Sequence, residues 1–146
     1  MAVEAKTRSR AVLEETFQKF LSLPPHTLFG LTLLSAEEGV ARQTFNTGAA
    51  ALVPGGYVHG GVSAMLLEPT AMFALLTVLP EDRYAVTATS EYRYLRAVPK
   101  DAEVLLEAKV VRLGRTLAHM DASLSVDGRP HVEARYVKSV VSASGA

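Results

Sequence analysis

The 146 residues include no cysteine. That excludes disulfides, a cysteine nucleophile and thiolate metal sites, and it fits a reducing, cytoplasmic setting. Net charge is also missing: Lys and Arg number 15, and Asp and Glu number 15. Neither nucleic acid nor an anionic membrane is therefore expected as a general partner, although a local basic patch for a phosphorylated ligand stays open. His26, His59, His119 and His131 are scattered, with no His-x-x-His or His-Glu-x-x-His spacing, so no metal site is expected. There is no Gly-Lys-Ser/Thr phosphate loop and no Gly-x-Ser-x-Gly elbow. The N-terminal stretch to Glu15 carries charges throughout and does not read as a secretory signal. One run, Val62 to Leu79, is almost entirely apolar, but Glu68 and Pro69 stand at its centre. A carboxylate at mid-bilayer costs about 2.5 kcal/mol or more, so the run reads as a buried helix of a soluble fold.

With 49% hydrophobic residues, the chain can build one core, and its length suits a single domain over residues 1–146. Arg8 to Leu21 has helical spacing, with Leu13, Phe17, Phe20 and Leu21 on one side, and Pro24 and Pro25 end it. Leu28 to Leu34 and Val40 to Phe45 read as a strand pair turned at Glu37-Glu38-Gly39, and Thr47 to Val58 as a loop. The long apolar helix follows, opened by His59-Gly60-Gly61 and closed by Leu79-Pro80. Four alternating segments come next. In the first, Val86, Ala88, Ser90, Tyr92 and Tyr94 form one face and Thr87, Thr89, Glu91 and Arg93 the other. The remaining three run from about Glu103, Ala118 and His131, with turns at Gly114-Arg115 and Asp127-Gly128. A helix apolar on all faces needs wrapping. The expectation is an α+β fold: an antiparallel sheet, its last four strands a meander, curled around one long central helix.

The chemistry-bearing segment runs from Val58 to Glu68. Two glycines at a helix start let another molecule approach the backbone closely, and the free N–H groups and dipole there favour an oxygen with negative charge. Glu68 lies eight residues after Gly60, about 12 Å along the axis at ~1.5 Å per residue. If the helix start bends inward, one substrate could meet both. Acyl transfer to water needs such a pair, namely donors for the carbonyl oxygen and a base or nucleophile for the carbon. Glu68 could instead be a structural charge paired with an Arg, although nothing basic lies near it in its own helix. Pro69 predicts a kink at Glu68, useful to the chemistry or merely fitting the curved sheet. His59 is the rival base, or a residue that fixes the loop. Ser63 reads as a core or capping hydroxyl.

At these residues the sequence resembles the hotdog-fold thioesterases, specifically the phenylacetate-pathway (PaaI-like) branch, over roughly Leu28 to Val141. His59-Gly60-Gly61 with Glu68 nine residues after the histidine, the strand Ser90-Glu91-Tyr92-Arg93-Tyr94-Leu95-Arg96 and the turn Gly114-Arg115-Thr116 carry the likeness. The resemblance implies one hotdog domain, preceded by the helix at about 8–21, that hydrolyses acyl-CoA. Gly60 N–H would bind the thioester oxygen, with Gly61 beside the substrate. Glu68 would activate water or attack. A hydroxyl of the neighbouring subunit, aligned with Thr87, would place the water or the carboxylate. No cofactor or metal is implied. The site would lie between protomers of a homodimer, commonly paired into a homotetramer. Arg93, Arg96 and Arg115, with Lys100 and Arg112, are candidates for the CoA phosphates. The chain departs from the family pattern fifteen residues before the acid, where Asn or Gln is usual and Val53 stands here; Asn46 is an outside substitute. Two alternatives stay open: a non-catalytic acyl-CoA binding or sensing protein, and a hydratase or dehydratase using His59 with Glu68.

Overall fold

The computed structural model describes residues 6–145; residues 1–5 and 146 of the expected domain lie outside the described residues. Ser9 caps the first helix, its Oγ accepting the Val12 N–H, so α1 spans Arg10–Leu21 rather than starting at Arg8. Pro24 and Pro25 do not simply stop it. They open a second, five-residue helix, α2 (Pro24–Leu28), because proline's fixed φ suits a helix's first positions. Strand β1 therefore begins later than expected and spans Thr32–Glu37, pairing with β2 (Val40–Thr44). The turn between them places Glu38 at φ 48° and Gly39 at φ 79°, the double left-handed geometry of a two-residue hairpin. Asp127 and Gly128 repeat it at φ 50° and 74°.

The long helix, α3, spans Gly60–Leu76. It runs as one element through Pro69, whose missing N–H leaves the Met65 carbonyl without its usual donor. Its apolar character on every side matches its position: it packs against all six strands and against α1. Leu66, Leu67, Ala71, Phe73, Ala74 and Leu75 are fully buried. On the far side Phe17 stacks on Phe73 at 4.3 Å between ring centres, and Phe20 meets the same ring edge-on at 5.6 Å. The apolar stripe of α1 thus covers the part of α3 that the sheet leaves bare.

The remaining strands are β3 (Arg83–Tyr94), β4 (Val104–Leu113), β5 (Leu117–Val126) and β6 (Arg129–Ser142). All pairings are antiparallel, in the order β1-β2-β4-β5-β6-β3. The expected four-strand meander is therefore a three-strand one. β3 skips β4 and closes the far edge beside β6. A second departure lies inside β3. Thr87 pairs with Lys138 and Thr89 with Val137, so Ala88 is an extra residue in a bulge. A bulge reverses the alternation on either side of it. Strict period two places Thr87 with Thr89, Glu91 and Arg93. The bulge instead puts Thr87 on the face of Ser90, Tyr92 and Tyr94, opposite the inward-facing Val132, Ala134, Tyr136 and Lys138 of β6. That single inserted residue decides what Glu68 meets.

Candidate active site

Glu68 sits two turns into α3, where the helix faces the β3–β6 edge. Thr87 Oγ1 of the same chain donates to Glu68 Oε1 at 2.5 Å. The resemblance drew this hydroxyl from a neighbouring subunit, whereas the bulge delivers the chain's own. Lys138 of β6 completes the group: its Nζ bonds to Glu68 Oε1 and lies 2.8 Å from Thr87 Oγ1. Lys138 is 2% exposed, whereas the Glu68 side chain is 38% exposed, so the pair reaches from core to surface. Burial pushes the Glu68 carboxyl upward. The Lys138 ammonium, the two hydrogen bonds and a weaker attraction from His26 outweigh it and hold the group below the usual carboxylate range. Glu68 is thus a carboxylate at neutral pH.

Lys138 is the residue sequence reasoning missed. A search along α3 finds no basic partner for Glu68, because the partner comes from a strand seventy residues away. A signal was nonetheless present. Lys138 continues the inward phase of Val132, Ala134 and Tyr136, and a lysine in phase with a core face needs a buried acceptor.

The start of α3 is a separate feature. His59 is the N-cap, and its Nδ1 accepts the Gly61 N–H at 2.9 Å. The Val62 and Ser63 N–H groups go to the His59 carbonyl at 2.9 and 3.3 Å. Gly60 alone keeps an N–H without an acceptor among the described residues. His59 thus serves as the cap of α3, its Nδ1 taken up by the Gly61 N–H. The Gly61 N–H, expected at the substrate, is already committed to that cap. A Cβ at position 60 would lie 3.1 Å from Tyr94 Cε1, so any larger residue there would push the tyrosine ring aside by a few tenths of an ångström. The Tyr94 hydroxyl donates to the Gly60 carbonyl at 3.1 Å, and the Tyr92 hydroxyl reaches the Ala64 carbonyl at 3.4 Å. Tyr136 donates to the Tyr92 hydroxyl at 3.1 Å. These tyrosines lie along one face of α3, from the Gly60 end toward Lys138.

A cavity of about 280 Å³ opens at the free N–H, lined by Val58, Gly60, Ser63, Tyr94, Arg96 and Val132 among others. Arg96 is therefore brought to Gly60, its own Nη1 donating to the Pro130 carbonyl at 2.7 Å. Arg93 is not. It pairs with Glu133 at 2.7 Å on the outer sheet face, the side away from the inward-facing Val132 and Ala134. There it lines a larger groove of about 400 Å³ with Glu91, Lys109, Asp121 and Arg135, whose mixed charges do not suit a polyphosphate. Arg115 is exposed in the β4–β5 turn, at the opposite end of the sheet from Arg96. Val53 turns with Gly56 in the loop before α3, and Asn46 Oδ1 accepts the Gly48 N–H at 2.8 Å, so Asn46 caps its own loop. Among the described residues no cluster of three or more His, Cys, Asp or Glu is placed to hold a metal ion, and no helix is long and apolar enough to cross a membrane.

The free N–H and the carboxylate are on one unbroken helix, eight residues apart. At ~1.5 Å per residue they stand about 12 Å apart along the axis. α3 is helical without interruption from Gly60 through Glu68, which keeps the two apart in one chain. A single thioester carbonyl cannot touch both within a protomer.

Comparison with known proteins bears on this arrangement. The sequence profile of the thioesterase superfamily matches residues 55–132, the span from the loop before α3 into β6. No curated protein is a significant match. Among solved structures, a conserved protein from Pseudomonas aeruginosa is 25% identical with a TM-score of 0.78, over 85% of this chain and 98% of that one. A Haemophilus influenzae thioesterase is 22% identical with a TM-score of 0.81, over 94% of each chain. A Streptococcus mutans protein bound to acetyl CoA is 21% identical with a TM-score of 0.71, over 77% of this chain and 89% of that one. The last two likenesses are of fold, and the fold is the hotdog: one antiparallel sheet packed on one long helix.

Proposed function

The chain belongs to the thioesterase superfamily, and from that premise we propose that it hydrolyses acyl-CoA thioesters to the free acid and CoA, using Glu68 of one protomer and Gly60 N–H of another. The observation that carries the reading is the Glu68 carboxylate. It is ionised, held on one oxygen by Thr87 and Lys138, and left with Oε2 free of any partner among the described residues. The Gly60 N–H supports it as the uncommitted donor at the start of α3 among the described residues, on a residue that lines the cavity, as an oxyanion donor requires. As a base, Oε2 takes a proton from water while the water oxygen adds to the thioester carbon. As a nucleophile, Oε2 adds to that carbon itself, and one water then cleaves the resulting anhydride to the free acid and Glu68. In both routes the C–S electron pair leaves with the CoA thiolate.

The 12 Å separation supports a site shared between protomers. The outer edge of β3 supports the means. β3 is twelve residues long and, among the described residues, its outer side has no neighbouring strand. A long unpaired edge with exposed Val86 and Tyr94 invites a second copy to add strand to strand. Arg96, beside Gly60, is the residue best placed to meet a CoA phosphate. The acetyl CoA bound to the Streptococcus mutans neighbour agrees with that ligand.

The test is thiol release from acetyl-, octanoyl-, palmitoyl- and benzoyl-CoA, with Glu68→Gln as control. Turnover lost in the variant supports the reading, and equal turnover in the variant ends it. Subunit sharing is read by mixing Glu68→Gln protein with Gly60→Pro protein. Each mixed dimer then holds one intact site, so activity returns. If Gly60 and Glu68 act within one chain, mixing restores nothing.

A further inference from the structure

We propose that Lys138 is a positioning residue for the reaction, fixing Glu68 by Oε1 so that Oε2 is the reacting oxygen. The inference rests on the thioester-hydrolase reading above and adds a residue that reading does not require. An ammonium has three donors. Here one goes to Glu68 Oε1 and one to Thr87 Oγ1, and the Nζ also lies 5.8 Å from the centre of the Tyr136 ring, within cation–π range. At 2% exposure the lysine is shut away from anything bound at the surface, so Lys138 acts only through its neighbours. Thr87 is bound in the same way. Its single proton goes to Glu68 and its lone pair faces Lys138. Both bonds end on Oε1.

The arrangement does two things. It fixes the carboxylate, because a buried ammonium that lost Glu68 would stand largely uncompensated, a state disfavoured by several kcal/mol. It also keeps the carboxylate ionised. The titratable groups acting on Glu68 are Lys138 and Tyr136 from β6 and His26 from α2. The Tyr136 phenol is driven far up by burial and stays neutral. His26 is tied through Nδ1–H to the Phe20 carbonyl at 2.6 Å. Lys138 is the larger attraction. Without it, only the Thr87 hydrogen bond and the weaker pull of His26 oppose burial, and the carboxyl rises.

The experiment compares wild type, Lys138→Met and Lys138→Arg. It reads the pH dependence of octanoyl- and benzoyl-CoA hydrolysis and the 13C titration of the Glu68 carboxyl, assigned with Glu68→Gln. Lys138→Met, which keeps the stem, should lose about 100-fold in kcat with KM within about twofold, since a misplaced reacting group costs rate more than binding. Its acidic limb and its carboxyl midpoint should both rise by about one pH unit or more. Lys138→Arg, retaining the charge, should recover part of kcat and most of the midpoint. A folded Lys138→Met with unchanged kcat and acidic limb overturns the proposal. Should Lys138→Met fail to fold, the wild-type titration decides: a Glu68 midpoint at or above the ordinary carboxylate value of 4.5 overturns it. The two readings fail separately. A wild type that cleaves no thioester ends hydrolysis, while a midpoint that moves with Lys138 still supports the lysine's hold on Glu68.

Discussion

Replacing Glu68 by alanine removes the only anionic partner that Lys138 has among the described residues. Lys138 is 2% exposed, so its charge cannot turn to water without moving strand β6. Breaking one side of a buried pair costs about 3–5 kcal/mol. Two features favour the lower end. Thr87 Oγ1 stays 2.8 Å from the ammonium, and the Glu68 side chain is 38% exposed, so water already screens the pair from one side. The expected loss is about 3 kcal/mol, or about 10 °C in Tm for a chain of this size. Adding Lys138→Met to Glu68→Ala removes the stranded charge and should return the protein to within about 1–2 kcal/mol of wild type. The single variant would thus be less stable than the double, an inversion that packing loss alone cannot produce. Urea or thermal unfolding at pH 7 of all four members of the cycle reads it. If Glu68→Ala melts within about 2 °C of wild type, or the double melts below the single, Lys138 does not depend on Glu68 as described. The same result governs how an activity control is chosen. Glu68→Gln keeps the side-chain volume and an oxygen for Lys138, so its loss of turnover reports on chemistry more cleanly than alanine does.

Further outcomes follow from the same geometry. Gly60→Pro removes the free N–H at a first helical position where proline is well tolerated, after a His59 already at ψ 128°. Compared with Gly60→Ala, which adds the same Cβ against Tyr94 but keeps the N–H, it should lose about a further 100-fold or more in kcat; equal rates would remove the backbone donor from the mechanism. His59→Asn keeps a side-chain cap and should retain most activity, whereas His59→Ala loses about 1 kcal/mol of stability by urea unfolding; a collapse of kcat in His59→Asn at unchanged stability would return His59 to the chemistry. The Glu68 carboxyl is held below its ordinary value of 4.5, so its contribution is complete above that pH and is lost as pH falls through the lower, folded value. The Tm gap between wild type and Glu68→Gln should therefore be wide at pH 6 and narrow below pH 4.5; a gap constant from pH 6 to pH 3 contradicts an ionised, paired Glu68.

Much of the architecture was legible along the chain because its physical causes are local. The run from Val62 onward is apolar at every helical angle, so it had to be a central helix. The alternation of Val104, Leu106, Ala108 and of Ala118, Met120, Ala122 had to be strands with one buried face, and Asp127-Gly128 a two-residue turn. The pairing of His59-Gly60-Gly61 with Glu68 on one helix was equally local, since it needs only the helical rise. Tertiary structure decided the rest. Local pattern does not say which edge a strand closes, so β3 was read into a meander and is found beside β6. A bulge is set by how two strands register, so strict alternation groups Thr87 with Thr89, Glu91 and Arg93, whereas the sheet turns it toward Glu68. Lys138 belongs to Glu68 only because β6 passes beneath the third turn of α3. An ion pair across seventy residues has no sequence period to announce it. What makes the carboxylate ionised and directed is therefore a property of the sheet's closure rather than of the motif that contains it.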